Sequence, residues 1–196
     1  MKILVIQTAF IGDAILATAL LESLHHWNSK ASIDFMVRSG NETLFEEHPY
    51  INHLYIWHKS KNKIANLVKL AFDIRKQKYD LVVNLHRFAS SGFVSFMSGA
   101  KDKRGFDKNP LALFYNKKVI HDLSGGLHET ERNHLIIPPR REGGRGGKKS
   151  FYCEYVLAEC YAANTLLQEK AFVGNNIPVP RISAESLSQA RKFCKY

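Results

Sequence analysis

Eight residues near the amino terminus, Gln7-Thr8-Ala9-Phe10-Ile11-Gly12-Asp13-Ala14, carry the clearest chemical signal in this 196-residue chain. They stand where an apolar run ends and a helical pattern begins. Asp13 has two readings there. As a helix N-cap it would accept a hydrogen bond from an orphan backbone N–H and stabilise the helix by roughly 1 kcal/mol. As a carboxylate at the mouth of an α/β cleft it would serve as a general base. The two roles conflict in part, because hydrogen bonding to the charged form lowers a carboxyl pKa and weakens the base. Gly12 allows close backbone approach or a positive φ at the turn. A single glycine does not make the GxGxxG fingerprint, which disfavours a nicotinamide cofactor.

A second group is basic. His58-Lys59-Ser60-Lys61-Asn62-Lys63 follows a strand-like run, and Lys103-Arg104 lies in another. Lysine offers a point charge to an anion, whereas arginine grips a carboxylate or phosphate through two donors at once. For any one lysine the alternative is a solvated helix start. Among the nine histidines, His25 and His26 are adjacent, so on a helix they point about 100° apart and cannot act as an i, i+4 ligand pair. No HExxH, GxSxG or Walker pattern occurs. Cys153, Cys160 and Cys194 form neither a CxxC pair nor a zinc spacing, so reduced thiols and no metal site are expected.

These groups need a scaffold, and the hydrophobic pattern supplies one. Residues 2–6 are a short β-branched run of the kind that forms a parallel strand buried on both faces. Residues 14–26 place Leu16, Leu20 and Leu24 on one helical face. Strands are expected at 32–37, 51–57, 81–85 and 103–106. Helices are expected at 42–47, 61–76, 88–97 and 127–137. Strand–helix alternation predicts an α/β, Rossmann-like, doubly wound and mostly parallel sheet. Ligands of such sheets bind beyond the carboxyl ends of the strands, where the turn after Ile6 lies.

The segment 138–149, PPRREGGRGGKK, cannot pack a core and reads as a linker or loop. Beyond it, 154–170 looks helical, Pro178 and Pro180 mark a break, and a final helix opens at Ser183. The domain reading is therefore 1–137, a linker at 138–149, and a helical segment at 150–196. With 45% hydrophobic and 23% charged residues the chain is an ordinary globular one. Its formal charge of +10 favours anionic partners: nucleic acid, phosphorylated sugars or an acidic membrane face. The amino terminus imitates a signal peptide, but Gln7 and Asp13 interrupt the apolar stretch, so a cytoplasmic protein is expected.

The string KILVIQTAFIGDAILATALLESL at 2–24 resembles the opening of the glycosyltransferase family 9 enzymes, the ADP-heptose:lipopolysaccharide heptosyltransferases. Three further stretches agree in order: YDLVVNLHRFASSG at 79–92, AKDKRGFD at 100–107 and LHETERNHL at 127–135. The last is similar to the family's H-x-x-E-R-N segment, where His128 would have a structural or hinge role. The resemblance covers residues 1 to about 137, and 180–193 is similar to the lead into the family's second domain. It implies one half of a GT-B architecture and an inverting, metal-free transfer of heptose from ADP-heptose to the lipopolysaccharide inner core, with no cofactor. In that family the carboxylate of the Gly-Asp pair is the base, which maps onto Asp13. Thr8, Gly12, Lys59, Lys61, Lys63 and Arg104 would contact substrate, the cations meeting acidic Kdo and phosphate groups. Peripheral contact with the inner face of the cytoplasmic membrane would follow.

Two departures accompany the likeness. The turn reads QTAFIGD where many members carry lysine or small hydroxyl residues, and the donor-binding half has no counterpart in the sequence. Two alternative readings therefore stand beside the enzyme. One is a truncated, inactive acceptor-binding remnant. The other is a basic nucleic-acid binder, for which RREGGRGGKK offers an Arg-Gly segment without interleaved aromatics.

Overall fold

The computed structural model describes residues 1–59, 62–122 and 127–138. Lys61, most of the expected linker and the expected helices at 154–170 and after Ser183 lie outside the described residues. Six strands are described: β1 (Lys2–Ile6), β2 (Ser32–Arg38), β3 (His53–Trp57), β4 (Leu81–Asn84), β5 (Asp102–Phe106) and β6 (Lys117–Val119). They form one sheet in the order β3-β2-β1-β4-β5-β6, with every pairing parallel. Five helices connect or flank them: α1 (Ile11–Leu16), α2 (Thr18–Trp27), α3 (Lys63–Lys76), α4 (Ala89–Met97) and α5 (Glu129–His134).

Alternation along β1 sends its side chains to opposite faces. Ile3 and Val5 pack with Leu20, Leu21 and Leu24 of α2 and with Ile136. Leu4 and Ile6 pack with Leu67, Ala71 and Ile74 of α3 and Val94 of α4. Both faces are therefore covered, which is why the central strands read as continuous apolar runs. This is the doubly wound, Rossmann-like sheet that the strand–helix alternation predicts, and Met1–Pro138 make up one compact unit. No helix among the described residues is long and apolar enough to cross a membrane.

The differences from the sequence reading are local. The single helix expected at 14–26 is broken at Ala17, where the Thr18 hydroxyl donates to the Ile15 carbonyl at 2.8 Å and Leu20 N–H bonds Ala17 only three residues back at 3.0 Å. The helix expected at 42–47 is a single 3₁₀ turn, Glu42–Leu44. β6 gave no sequence signal, having three residues of which two are exposed lysines.

Candidate functional site

Strand order reverses between β1 and β4, because chain order runs outward from β1 to β3 on one side and from β4 to β6 on the other. At such a switch point the loops leaving neighbouring strands diverge and open a crevice. Its walls here are the β1–α1 turn and the segment 85–88.

The first wall rises steeply. Gln7 N–H still pairs with the Met36 carbonyl at 2.9 Å, and Thr8 is fully buried. Phe10, two residues later, is 74% exposed. Phe10, not Asp13, has the extended dihedrals of the N-cap, so the capping reading of Asp13 is corrected. Asp13 is the third residue of α1 and only partly buried. Its carboxylate makes no hydrogen bond or ion pair with another described residue, and so is not spent on a cap. Gly12 also departs from one expectation: it is helical without a positive φ, and a Cβ added to it would meet open space.

The second wall is built by polar side chains. Asn84 Oδ1 accepts from the His86 N–H at 3.0 Å. The His86 carbonyl accepts from Ser91 Oγ and Asn109 Nδ2, each at 2.9 Å. Across the switch point, Thr8 Oγ1 and His86 Nδ1 lie 2.8 Å apart in a buried contact. Burial, reinforced by the charges of Lys59 and Arg87, pushes the His86 pKa down to about 4, so its imidazole is neutral at pH 7.

Two arginines flank the crevice, each over an aromatic ring: Arg38 lies 5.2 Å from the Phe10 centroid and Arg87 5.7 Å from that of Phe88. Lys59 comes to the same edge, where its Nζ donates to the Thr8 carbonyl at 2.8 Å and sits 4.6 Å from the Trp57 ring centroid. Burial and then the charge of Arg38 hold its pKa below the usual lysine value. Lys63 opens α3 and is exposed. Arg104 is not brought to this edge. It sits mid-strand in β5, bonded through Nε and Nη2 to Asp102 at 2.9 and 2.8 Å and reaching the Ile136 carbonyl at 3.5 Å.

The start of α5 adds a carboxylate that the sequence reading did not single out. His128 is the N-cap of a capping box whose backbone N–H donates to Glu131 at 2.8 Å. Glu129 follows it, and burial first, then the negative charge of Asp13, raise its pKa above the ordinary carboxylate value. Arg132 and His128 oppose that shift. Asp13 and Glu129 thus sense each other's charge. The arrangement holds one carboxylate free of bonds to other described residues, a second carboxylate within electrostatic reach of it, and two arginine–phenylalanine pairs.

His86 and Glu129 both escaped sequence reasoning. His86 carried one usable signal, since it lies just past a buried strand as Thr8 does. Glu129 lay inside a segment read only for its hinge.

Known proteins resemble part of this chain. It is 38% identical over 137 residues to lipopolysaccharide heptosyltransferase 3 of Escherichia coli, covering 66% of this chain and 40% of that protein. It is 29% identical over 127 residues to lipopolysaccharide heptosyltransferase 1 of Campylobacter coli, covering 62% and 37%. A solved glycosyl transferase family 9 structure from Veillonella parvula superposes with a TM-score of 0.64 at 24% identity, covering 69% and 39%. No family model matches the chain. The chain thus spans about two fifths of the length of these curated relatives.

Proposed function

This chain is a relative of the lipopolysaccharide heptosyltransferases of glycosyltransferase family 9, and from that premise we propose that its described unit is the acceptor side of an inverting heptosyl transfer with Asp13 as the base. The observation that carries the reading is Asp13 itself. Its carboxylate stands in the first turn of α1, beside the β1/β4 switch point, without a capping bond to occupy it.

In the proposed reaction an acceptor hydroxyl oxygen attacks the anomeric carbon of ADP-heptose. The new C–O bond forms as the bond to the diphosphate breaks, ADP leaves from the opposite face, and Asp13 takes the hydroxyl proton. A carboxylate suits this step because it also faces the positive charge that develops on the sugar ring. The acceptor is the phosphorylated inner core of lipopolysaccharide, met at the inner face of the cytoplasmic membrane, and Arg38 and Arg87 attract its acidic groups. Neither metal nor cofactor enters this scheme. Since the chain spans about two fifths of the length of these relatives, the share of the work proposed for it is to bind acceptor and supply the base.

The test combines ADP release with acceptor binding. Purified chain is mixed with ADP-heptose and heptose-deficient lipopolysaccharide core, and acceptor affinity is measured separately by calorimetry. Asp13→Asn should keep acceptor affinity within about threefold and lower ADP release by roughly 10² to 10⁴, the usual contribution of a general base. Transfer at the unmodified rate by Asp13→Asn would remove Asp13 from the role. Acceptor binding with no ADP release from the unmodified chain would favour the acceptor-binding remnant.

A further inference from the structure

We propose that His86 and Lys59 are positioning residues, gripping Thr8 from the segments that follow β4 and β3 on opposite sides of β1 and so fixing the turn that presents Asp13. The proposal rests on the reading of Asp13 as the base.

The need for such struts follows from the backbone. Ile6 is the last residue of β1, and Gln7 N–H makes the last bond from this segment to β2. Phe10 is already the cap of α1. The chain between them must leave the sheet and turn without ladder bonds, and side chains hold it instead. Thr8 uses both of its acceptor-bearing groups: its hydroxyl meets His86 Nδ1, and its carbonyl receives Lys59 Nζ, each at 2.8 Å. His86 stands beyond β4 on one side of β1, and Lys59 beyond β3 on the other.

Both struts are anchored themselves. His86 is held through its N–H by Asn84, through its carbonyl by Ser91 and Asn109, and at its ring by an edge contact to Phe88 at 4.7 Å. Lys59 lies over the Trp57 ring, whose Nε1 reaches the Lys63 carbonyl at 3.5 Å. Thr8 is fully buried, so water cannot replace a lost partner without rearrangement of the turn. Asp13 follows five residues later, and a catalytic group misplaced by about 1 Å can cost on the order of 10²-fold in rate. Lys59 thus acts through Thr8 and not as a cation offered to the ligand.

The experiment reads backbone order and turnover in the full chain. Order parameters from ¹⁵N relaxation are measured without substrate for the unmodified chain, His86→Ala, His86→Asn and Lys59→Met, and kcat and KM come from ADP release. In the unmodified chain, amides of residues 9–13 should show the rigid value of about 0.85, falling below about 0.6 in His86→Ala and Lys59→Met while α3 stays unchanged. His86→Asn keeps a nitrogen near the Nδ1 position and should restore the rigid value. His86→Ala should lower kcat at least tenfold with KM changed less than threefold, and His86→Asn should recover it.

An unchanged turn in both truncations would overturn the proposal, and so would an equal loss of order throughout Met1–Pro138. Lys59→Met that raises KM with a rigid turn would make Lys59 a ligand cation instead. If the unmodified chain released no ADP, the base reading of Asp13 would fall, while the order parameters would still decide the struts.

Discussion

Glu129 is a residue whose surroundings change the chemistry that its type implies. A carboxyl whose pKa is higher folded than unfolded binds more protons in the folded state. Stability then falls as pH rises through the interval between the two values. For Glu129 that interval begins near 4.5 and extends upward, with burial the larger cause and Asp13 the second. Glu129→Gln should therefore raise the melting temperature at pH 7 by a few degrees, and the gain should vanish near pH 4, where Glu129 is protonated in both states. In an Asp13→Asn background the gain should shrink, because one of the two causes is gone. Thermal melts of the unmodified chain, the two single variants and the double variant at both pH values check this. A gain that is the same at pH 4 and pH 7 would mean that the substitution acts through packing and not through charge.

At the scale of elements, the contact between α4 and the segment 109–111 sets the second wall of the crevice. A Cβ on Gly92 would fall 2.2 Å from Asn109 Oδ1 and 3.0 Å from Leu111 Cβ. In an unobstructed helix Gly→Ala gains up to about 1 kcal/mol. Here the sign should reverse: overpacking costs about 1–3 kcal/mol, and displacing Asn109 removes the donor that the carbonyls of His86 and Phe88 share. Gly12→Ala is the matched control, since its Cβ meets open space, and it should leave the denaturant midpoint unchanged or slightly raised. Equal midpoints for the two variants would refute this account. The elements themselves were legible wherever burial is two-sided, as in β1 and β4, or where one stripe faces the sheet, as in α3. The break at Ala17 was not, because a hydroxyl bond from Thr18 back to Ile15 of α1 leaves the apolar spacing intact. β6 was not, because its order comes from β5 and not from its own residues. The site divides in the same way. The position of Asp13, in the turn after β1, was legible from the end of an apolar run followed by a helical pattern. The Thr8–His86 contact joins residues 78 apart, and no local pattern encodes it. Lys59 was legible as a cation at the right edge, whereas its bond to the Thr8 carbonyl was not.

At the scale of the whole molecule the formal charge of +10 is spread along the chain, and five of the cations lie between residues 138 and 149. Charge of that kind attracts any polyanion, so affinity alone does not distinguish a built site from general attraction. Salt dependence does. A ligand held beside Asp13 meets a small number of cations, chiefly Arg38 and Arg87, so few counterions are released when it binds. A nucleic acid drawn to the chain as a whole would release many counterions, with an affinity that falls by roughly 10³ to 10⁵ between 50 and 200 mM salt if six to ten phosphates are engaged. Heptose-deficient lipopolysaccharide core should lose less than about tenfold over that range, and a single-stranded 20-mer should lose far more. Fluorescence anisotropy with both ligands at the two salt concentrations gives the comparison directly. Equal losses would place the acceptor on the general charge of the chain, and the crevice between β1 and β4 would then have no claim to it.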